Sequence, residues 1–457
     1  MEVDEVLMIS DRTHYLGMYL SCVAEKRKPN DSEKRRGGKY MDKQIVLELA
    51  ERYDSLYLYE EAVILEQIQL LRRYFPQVAL LYSMKANPNA AVVDCILQQG
   101  IGVDAASLEE VRLGAKRGLT REEIYYSAPG KTKEEIVQAM SMATLIADSI
   151  SEVERIQEIA AQCQEKVRIG IRLNPDFTMH GEDGQPSKFG IDEARFWQEM
   201  PNWKKDARIQ IVGVHVHLES QKLHAEILAS YYRKVMDVAE QFRQIQGYSL
   251  QFLNMGSGIG IPYTSQDQPL DLKWLGQELT NMLHIFAQQN PTTKVFIESG
   301  RFLVGKAGWY VTKVLDRKIS YGKTILILKN TLNGFLRPSL ACLIAKYTKG
   351  MQLGGSEPLF TAKDAFPCIT WKQAPLERVT LMGNLCTSAD IIAEDIMLPR
   401  LECGDVIVIP NAGSYGAVLS PMQFSLQQKP KEFFLTLEGE ILDVSGERND
   451  KQQEGYN

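Results

Sequence analysis

The sequence lacks the features that mark several common protein classes. None of its seven cysteines forms a Cys-x-x-Cys pair, so neither a zinc site nor a disulfide framework is indicated. The six histidines make no cluster with acidic residues at metal-ligand spacing, and we expect no metal. No apolar run reaches the ~18 residues that a membrane span needs, and the N-terminus has no signal-peptide core. We therefore expect a cytoplasmic protein that does not bind membranes.

The chain also lacks an excess of basic charge. Its formal net charge is -6 over 457 residues, which gives no general attraction for nucleic acid. Apolar residues make up 44% and charged residues 24% of the chain, as in an ordinary globular protein. This length allows one large barrel with a second, smaller domain.

The two ends of the chain differ from the part between them. Residues 1–40 include a polar, basic stretch without apolar periodicity, and we expect a flexible leader there. Residues 446–457 are polar as well, and we expect a frayed tail.

Short apolar runs alternate with charged segments of helical period over residues 55–300. This alternation predicts βαβ units and a parallel sheet, and eight repeats are the number in a (β/α)8 TIM barrel. A doubly wound open sheet is the alternative, although no Gly-x-Gly-x-x-Gly follows the first strand. The eight runs lie at 79–84, 102–106, 124–127, 143–147, 167–173, 211–218, 250–254 and 294–298.

After residue 300 the pattern changes to short β-like runs separated by Gly, Pro and Asn turns. These runs predict a mainly antiparallel β-barrel or β-sandwich domain over residues 301–445. We expect residues 41–60, which precede the first barrel repeat, to join this second domain in part. The fold class is therefore α/β, with a TIM barrel and a β domain.

Lys85 closes an apolar run and is followed by Ala-Asn-Pro. A buried ammonium is costly unless it has a task. A lysine whose pKa is lowered by its surroundings can form a Schiff base with an aldehyde. A strand-end lysine that extends to solvent explains this segment equally well.

Polar, charged and glycine residues follow most of the other runs. They would collect at the C-terminal face of the barrel, where barrel enzymes carry out their chemistry. The glycine-rich loop Gly256–Gly260 fits a phosphate-binding turn, although a tight connection without a ligand also explains it. His215 and His217 alternate along one strand, so only one should face the lumen. Glu298 either serves the site or pairs with Arg301. Together with Lys85, this clustering favours a phosphate-bearing aldehyde cofactor.

Several motifs in one order resemble the fold-type III pyridoxal phosphate (PLP) decarboxylases, which include diaminopimelate and ornithine decarboxylases. The resemblance covers roughly residues 55–440. Its motifs are Tyr82–Asn87, Val103–Glu110, Lys188–Ile191, Leu253–Gly260, Glu298–Phe302, Leu385–Asp390 and Asn411–Gly416.

The resemblance implies a role for each matching residue. Lys85 would hold the cofactor, pyridoxal 5'-phosphate. Cys386 would reach the site of a second subunit and donate a proton to the substrate Cα, so that the protein is a homodimer with shared active sites. His217 would stack on the pyridine ring, and Glu298 would keep the ring nitrogen protonated. The cofactor-binding residues also include Asp104, Arg172, Ser220, Gly256, Gly258, Gly300, Arg301 and Tyr415; Glu110 would support Lys85, and the substrate would meet Arg337, Thr387 and Tyr415.

Departures from the family pattern bear on the substrate. Diaminopimelate decarboxylases usually have Cys-Glu-Ser where this chain has Cys386-Thr387-Ser388, and a tyrosine where Ala341 stands. The side chains that would recognise a distal amino-acid group of the substrate are therefore missing. The chain is more similar to the subgroup that acts in siderophore assembly, so we expect decarboxylation of a conjugated or carrier-tethered amino acid in secondary metabolism. Glu219 stands where the family has glycine, and the sequence offers no physical reason for it.

Three other functions stay open. One is decarboxylation of meso-diaminopimelate in lysine biosynthesis. A second is amino-acid racemisation, which would need a tyrosine as second base. The third is a catalytically inactive regulatory homologue that has lost PLP, although Lys85, Glu298 and Cys386 are all present.

Overall fold

The computed structural model of the protein describes residues 42–164, 166–181, 183–347 and 365–446. The leader expected at 1–40 and the tail expected beyond Gly446 lie outside these ranges. The chain divides into two units between Val46 and Leu47, and every element from β1 onward belongs to the second.

The described helices and strands alternate through the first two thirds of the chain. The helices are α1 Lys43–Arg52, α2 Glu61–Tyr74, α3 Ala90–Leu97, α4 Leu108–Lys116, α5 Lys133–Ala139, α6 Ile150–Cys163, α7 Glu193–Lys205, α8 Ala225–Gln246, α9 Leu272–Gln289, α10 Arg301–Val304 and α11 Leu336–Tyr347. The strands of the first part are β1 Ser55–Glu60, β2 Ala79–Ser83, β3 Gly102–Ala105, β4 Ile124–Tyr126, β5 Thr144–Ala147, β6 Val167–Asn174, β7 Ile191–Asp192, β8 Ile209–Val216, β9 Phe252–Asn254 and β10 Lys294–Ser299. The later strands are β11 Gly308–Ser320, β12 Lys323–Leu328, β13 Leu376–Gly383, β14 Ile391–Pro399, β15 Val406–Ile409, β16 Lys431–Leu435 and β17 Ile441–Asp443.

Eight parallel strands form a closed barrel. Their order is β5-β4-β3-β2-β10-β9-β8-β6, and β6 pairs again with β5. A doubly wound sheet would have two open edges instead. The (β/α)8 prediction is therefore confirmed, and each of the eight apolar runs coincides with a barrel strand.

The lower part of the barrel lumen is filled by side chains. One residue from each of six strands forms a separate apolar cluster: Leu81, Tyr125, Ile146, Val212, Phe252 and Phe296. Glycines make room for the largest of them, because a Cβ on Gly213 would lie 2.0 Å from the Phe252 ring. A packed lumen leaves space for a site only toward the C-terminal ends of the strands.

The second sheet has the strand order β14-β13-β12-β11-β1-β16-β17, with β15 also paired to β11. Among the described strands, β1 with β16 and β12 with β13 pair in parallel, and the other neighbours are antiparallel. The prediction of a mainly antiparallel β domain beside the barrel is confirmed. Strand β14 and helix α11 within it were not predicted. Within the described ranges, we find no helix with the length and apolar character that a membrane crossing needs.

Candidate active site

A pocket opens at the C-terminal end of the barrel, the face at which barrel enzymes place their sites. The residues around it come from the ends of β2, β8, β9 and β10 and from the β domain. They are Ser83, Lys85, His217, Ser220, Ser257, Gly258, Ile259, Glu298, Ser299, Gly300, Arg301 and Tyr415. Most of the residues predicted to bind the cofactor therefore meet in one place.

Lys85 reaches this pocket because β2 ends at Ser83 and a single helical turn, Met84–Ala86, follows. The side chain is 44% exposed, and its ammonium nitrogen lies 3.7 Å from Asp104 Oδ2. Burial lowers the pKa of Lys85, but the carboxylates of Asp104 and Glu298 outweigh it and raise the pKa above its usual value. The lowered pKa that would favour a Schiff base is therefore not found at Lys85, because two carboxylates face the ammonium.

Asp104 and Arg172 stand behind Lys85 rather than in the pocket wall. Asp104 is 1% exposed and accepts a hydrogen bond from the Ser127 hydroxyl. Arg172 Nη1 donates to the Ser127 carbonyl at 3.4 Å and lies 3.7 Å from Asp148 Oδ1. Ser127 thus connects the two predicted residues, which fixes Asp104 beside the lysine.

Glu110 supports the same strand end from helix α4. Its carboxylate accepts the backbone N–H of Ala106 at 2.7 Å. Burial raises the pKa of Glu110 to about 7, and the nearby Asp104 acts in the same direction. This carboxyl group therefore titrates close to neutral pH.

Glu298 is the most heavily engaged acid of the site and is 2% exposed. Its oxygens lie 2.8 Å from His217 Nδ1 and 3.2 Å from His215 Nε2, and Asn254 Nδ2 donates to it at 3.2 Å. Burial alone would raise the pKa of Glu298, but His217 and His215 hold it well below its usual range. The carboxylate is therefore ionised.

The prediction that only one of the two histidines faces the lumen is wrong. Strand β8 ends at Val216, so His217 lies beyond the strand and no longer follows its alternation. Both rings can then approach Glu298, one from the strand and one from the loop after it.

The glycine-rich loop after β9 requires glycine for two reasons. Gly256 has a φ of +60° and Gly258 a φ of +80°, a region that side chains disfavour. A Cβ on Gly256 would also lie 2.6 Å from the Val216 carbonyl oxygen and 2.7 Å from His217 Nδ1. Gly256 therefore packs closely against Val216 and His217, whereas Gly258 lines the pocket.

The residues around Glu219 explain how an acid is accommodated at this position. It forms an ion pair with Lys222, whose backbone N–H donates to the Gly258 carbonyl at 2.8 Å and whose carbonyl accepts from Gly260 at 3.0 Å. The loop after β8 is thereby joined to the glycine-rich loop. Glu219 points to this lysine, which offsets its charge.

The β domain supplies Tyr415 to the pocket. Its backbone has a φ of +53°, and its N–H donates to the Ala86 carbonyl at 2.8 Å, directly after Lys85. The Arg301 guanidinium lies 5.0 Å from the Tyr415 ring, within the range of a cation–π contact. Barrel and β domain thus form the pocket wall together.

Cys386 and Thr387 lie outside the pocket of their own chain. Cys386 is exposed, with its Sγ 3.6 Å from Ser425 Oγ. The Thr387 hydroxyl accepts the backbone N–H of Ala389 at 3.2 Å. The structure does not bring this loop to Lys85 within one chain.

Arg337 is placed differently from the prediction that it contacts substrate. It is 0% exposed, and its Nη1 donates to the Tyr263 hydroxyl at 3.1 Å and to the Ser414 carbonyl at 3.2 Å. A guanidinium enclosed in this way does not reach a substrate. The prediction of direct contact is wrong, because helix α11 turns the side chain toward the interior.

Several residues of the site received no role from sequence reasoning. Asn254 lies in a quoted motif, and its position at the end of β9 was an available signal. Tyr263 follows the glycine-rich loop and carried no signal. Ser299 Oγ is buried beside the pocket without a hydrogen-bond partner among the described residues, so it is available to a ligand.

The pocket residues fit pyridoxal 5'-phosphate. Lys85 offers an amine to an aldehyde, and an ionised Glu298 suits a protonated ring nitrogen. Arg301 and the Ser220 and Ser299 hydroxyls offer hydrogen-bond donors to a phosphate. In the described ranges, we find no group of histidines, cysteines and acids that could hold a metal ion.

Comparison with known proteins identifies the family. The model of the pyridoxal-dependent decarboxylase, pyridoxal binding domain, matches residues 61–305. The chain belongs to the pyridoxal-dependent decarboxylases. This confirms PLP as the cofactor of the decarboxylase and the removal of a carboxyl group from an amino acid as its reaction.

Similar proteins cover most of this decarboxylase. The L-glutamyl-[BtrI acyl-carrier protein] decarboxylase of Niallia circulans is 29% identical over 402 residues, which are 86% of this chain and 91% of the relative. Diaminopimelate decarboxylase of Methanothermobacter thermautotrophicus is 31% identical over 417 residues, 88% of this chain and 91% of the relative. The crystal structure of diaminopimelate decarboxylase from Helicobacter pylori complexed with L-lysine is 28% identical, with a TM-score of 0.74 over 87% of this chain and 95% of that one.

Proposed function

We propose that this decarboxylase removes the α-carboxylate from an amino-acid unit within a larger molecule. The unit is either tethered to a carrier or part of a conjugate in siderophore or other secondary-metabolite biosynthesis. The observation that carries this proposal is that the Cys386 loop, Leu385–Asp390, offers no accessible carboxylate to a distal ammonium group.

The one acid of this loop, Asp390, is buried and hydrogen-bonded to other residues of the protein. It is 1% exposed, and Thr331 Oγ1 and the backbone N–H of Leu332 donate to its Oδ1. The backbone N–H of Leu385 donates to its Oδ2 at 3.1 Å. A free diamino acid would therefore find no ionic partner for its second ammonium on this loop.

The relatives support two substrate classes. The name of the Niallia circulans relative places its glutamyl substrate on an acyl-carrier protein, which agrees with a tethered substrate. The diaminopimelate decarboxylases of similar identity favour meso-diaminopimelate, which is the second candidate. Thr387 favours the first, because it stands where a glutamate is expected for a distal ammonium.

In the proposed site, Lys85 would hold PLP, His217 would lie against its ring, and Glu298 would keep the ring nitrogen protonated. Bound PLP supplies a sink for the electrons of the broken carbon–carbon bond. The α-carboxylate leaves as CO2, and Cα gains a proton in its place. Asp104 and Arg172 would support this arrangement. The phosphate would be held by Ser220, Gly258, Gly300, Arg301 and Tyr415.

The proposed active form is a cytoplasmic homodimer in which Cys386 donates that proton in the partner's site. Beside Cys386, Phe424 is 43% and Leu426 is 94% exposed. Ser425 and Leu426 also have positive φ values of 55° and 50°, a costly backbone for a leucine. Exposed apolar side chains on a strained turn are typical of a surface that a partner covers.

A substrate panel tests this function. Purified protein is assayed for CO2 release from meso-diaminopimelate, ornithine, lysine, diaminopropionate and a citryl-diaminopropionate conjugate. We expect turnover of the conjugate only. The Thr387→Glu variant should gain turnover of free meso-diaminopimelate, because it restores a carboxylate, whereas the uncharged Thr387→Gln control should not. Efficient turnover of free meso-diaminopimelate by the wild type would overturn the proposal.

A further inference from the structure

One tyrosine hydroxyl behind the pocket receives two arginine side chains. Arg301 Nη1 donates to the Tyr263 hydroxyl at 2.6 Å, and Arg337 Nη1 donates to the same oxygen at 3.1 Å. The guanidinium carbons also lie 5.4 Å and 4.8 Å from the Tyr263 ring. Arg301 is at the pocket wall, whereas Arg337 is enclosed in the β domain, so Tyr263 connects the two.

Arg337 holds a second part of the pocket wall at the same time. Its Nη1 also donates to the carbonyl of Ser414 at 3.2 Å. Ser414 directly precedes Tyr415, which lines the pocket. The buried Arg337 guanidinium therefore contacts both Tyr263, which accepts from Arg301, and Ser414, which precedes Tyr415.

We propose that Tyr263 is a positioning residue whose hydroxyl, fixed by Arg337, sets the orientation of Arg301 toward the phosphate of PLP. This inference rests on the proposed role of Arg301 at the phosphate. It also gives Arg337 a role that does not require contact with substrate.

The physical reason lies in the side chain of arginine. Its long stem has many rotamers, so an arginine serves a binding site well only when its fork is held in place by other groups. The Tyr263 oxygen and the Tyr415 ring hold the Arg301 fork from two sides. Burial raises the pKa of Tyr263, but Arg301 and Arg337 outweigh it and lower the pKa below its usual value, as expected for a hydroxyl that accepts hydrogen bonds from two cations.

The Tyr263→Phe variant tests this role. It keeps the ring and its contacts with both guanidinium groups, and it removes the shared acceptor together with the 3.5 Å contact to the Ser414 hydroxyl. Hydrogen bonds to charged groups correspond to about a tenfold change in affinity or more. We therefore expect the dissociation constant of PLP, measured by titrating cofactor-free protein, to rise about tenfold.

Pyridoxal without phosphate is the decisive second ligand. If Tyr263 acts through Arg301 on the phosphate, Tyr263→Phe weakens PLP but leaves pyridoxal affinity unchanged. General damage to the fold would weaken both. The matched control is Tyr310→Phe, which removes the hydroxyl of another fully buried tyrosine, bonded to the Asn330 carbonyl, and should change neither affinity.

A double variant completes the test. In an Arg301→Gln background, Tyr263→Phe should add no further loss of PLP affinity, because the group it positions is gone. If Tyr263→Phe fails to fold in a thermal melt, Arg337→Met replaces it, since a thioether donates no hydrogen bond to the Tyr263 hydroxyl or the Ser414 carbonyl. Unchanged PLP affinity, equal loss for PLP and pyridoxal, or full additivity with Arg301→Gln would each overturn the proposal. No substrate enters these titrations, so a failed substrate panel leaves them unaffected.

Discussion

Replacing Asp104 with asparagine should make Lys85 easier to deprotonate. The Asp104 carboxylate lies 3.7 Å from the ammonium and is itself 1% exposed. At an effective dielectric constant of about 20, two charges at this separation attract by about 4 kcal/mol. Because 44% of the Lys85 side chain is exposed, solvent screens most of this, and we expect about 1–2 kcal/mol.

The consequence is a faster reaction with an aldehyde. Only the neutral amine attacks a carbonyl, and about 1.4 kcal/mol corresponds to a tenfold change in its population. At about pH 8, cofactor-free Asp104→Asn protein should therefore take up PLP about tenfold faster than the wild type. Stopped-flow absorbance of the bound cofactor measures this rate.

The asparagine keeps an acceptor for the Ser127 hydroxyl, so the change is mainly one of charge. Asp148→Asn is the matched control, because Asp148 is 4% exposed and lies 3.7 Å from Arg172 rather than beside Lys85. An unchanged uptake rate in Asp104→Asn, or the same acceleration in Asp148→Asn, would refute the electrostatic reasoning.

Two further predictions concern the proposed dimer and the pH dependence of stability. A mixture of Lys85→Ala and Cys386→Ala should recover about a quarter of wild-type CO2 release, since half of the randomly paired dimers hold one intact site; no recovery would mean that both groups serve one chain. Burial raises the pKa of Glu60 from 4.5 to about 7, so its contribution to stability is present below 4.5 and is lost as the pH rises through 7. Between about pH 5 and about pH 8, urea unfolding should show a larger loss of stability for the wild type than for Glu60→Gln, and equal losses would contradict this.

The barrel could be predicted because its strands are buried on both faces and read as continuous apolar runs. The strands and helix of the β domain were harder to predict from the sequence. Strand β14 carries exposed Glu394 and Asp395 in its middle, so its sequence resembles a turn rather than an apolar strand. Helix α11 has Arg337-Pro338 directly after its first residue, Leu336. This pair resembles a turn, although proline is tolerated in a first helical turn.

The pocket residues at strand ends could be predicted for a similar reason, since topology alone brings the ends of barrel strands together. Their exact partners could not. Tyr263 and Arg337 are separated by 74 residues in the chain, and no local pattern indicates that they meet. Likewise, the end of β8 at Val216 decides that both histidines reach Glu298, and sequence patterns locate such boundaries poorly.

The position of β1 between β11 and β16 links the order of synthesis to the order of folding. Leu56 pairs with Val311 of β11 on one side and with Lys431 of β16 on the other. β1 is therefore synthesised long before either strand that flanks it. All six residues of β1 are buried in the finished sheet. While the barrel segments emerge from the ribosome, this apolar strand has no neighbour and is open to association with other chains. Completion of the sheet around β1 therefore comes only after β16 has been synthesised.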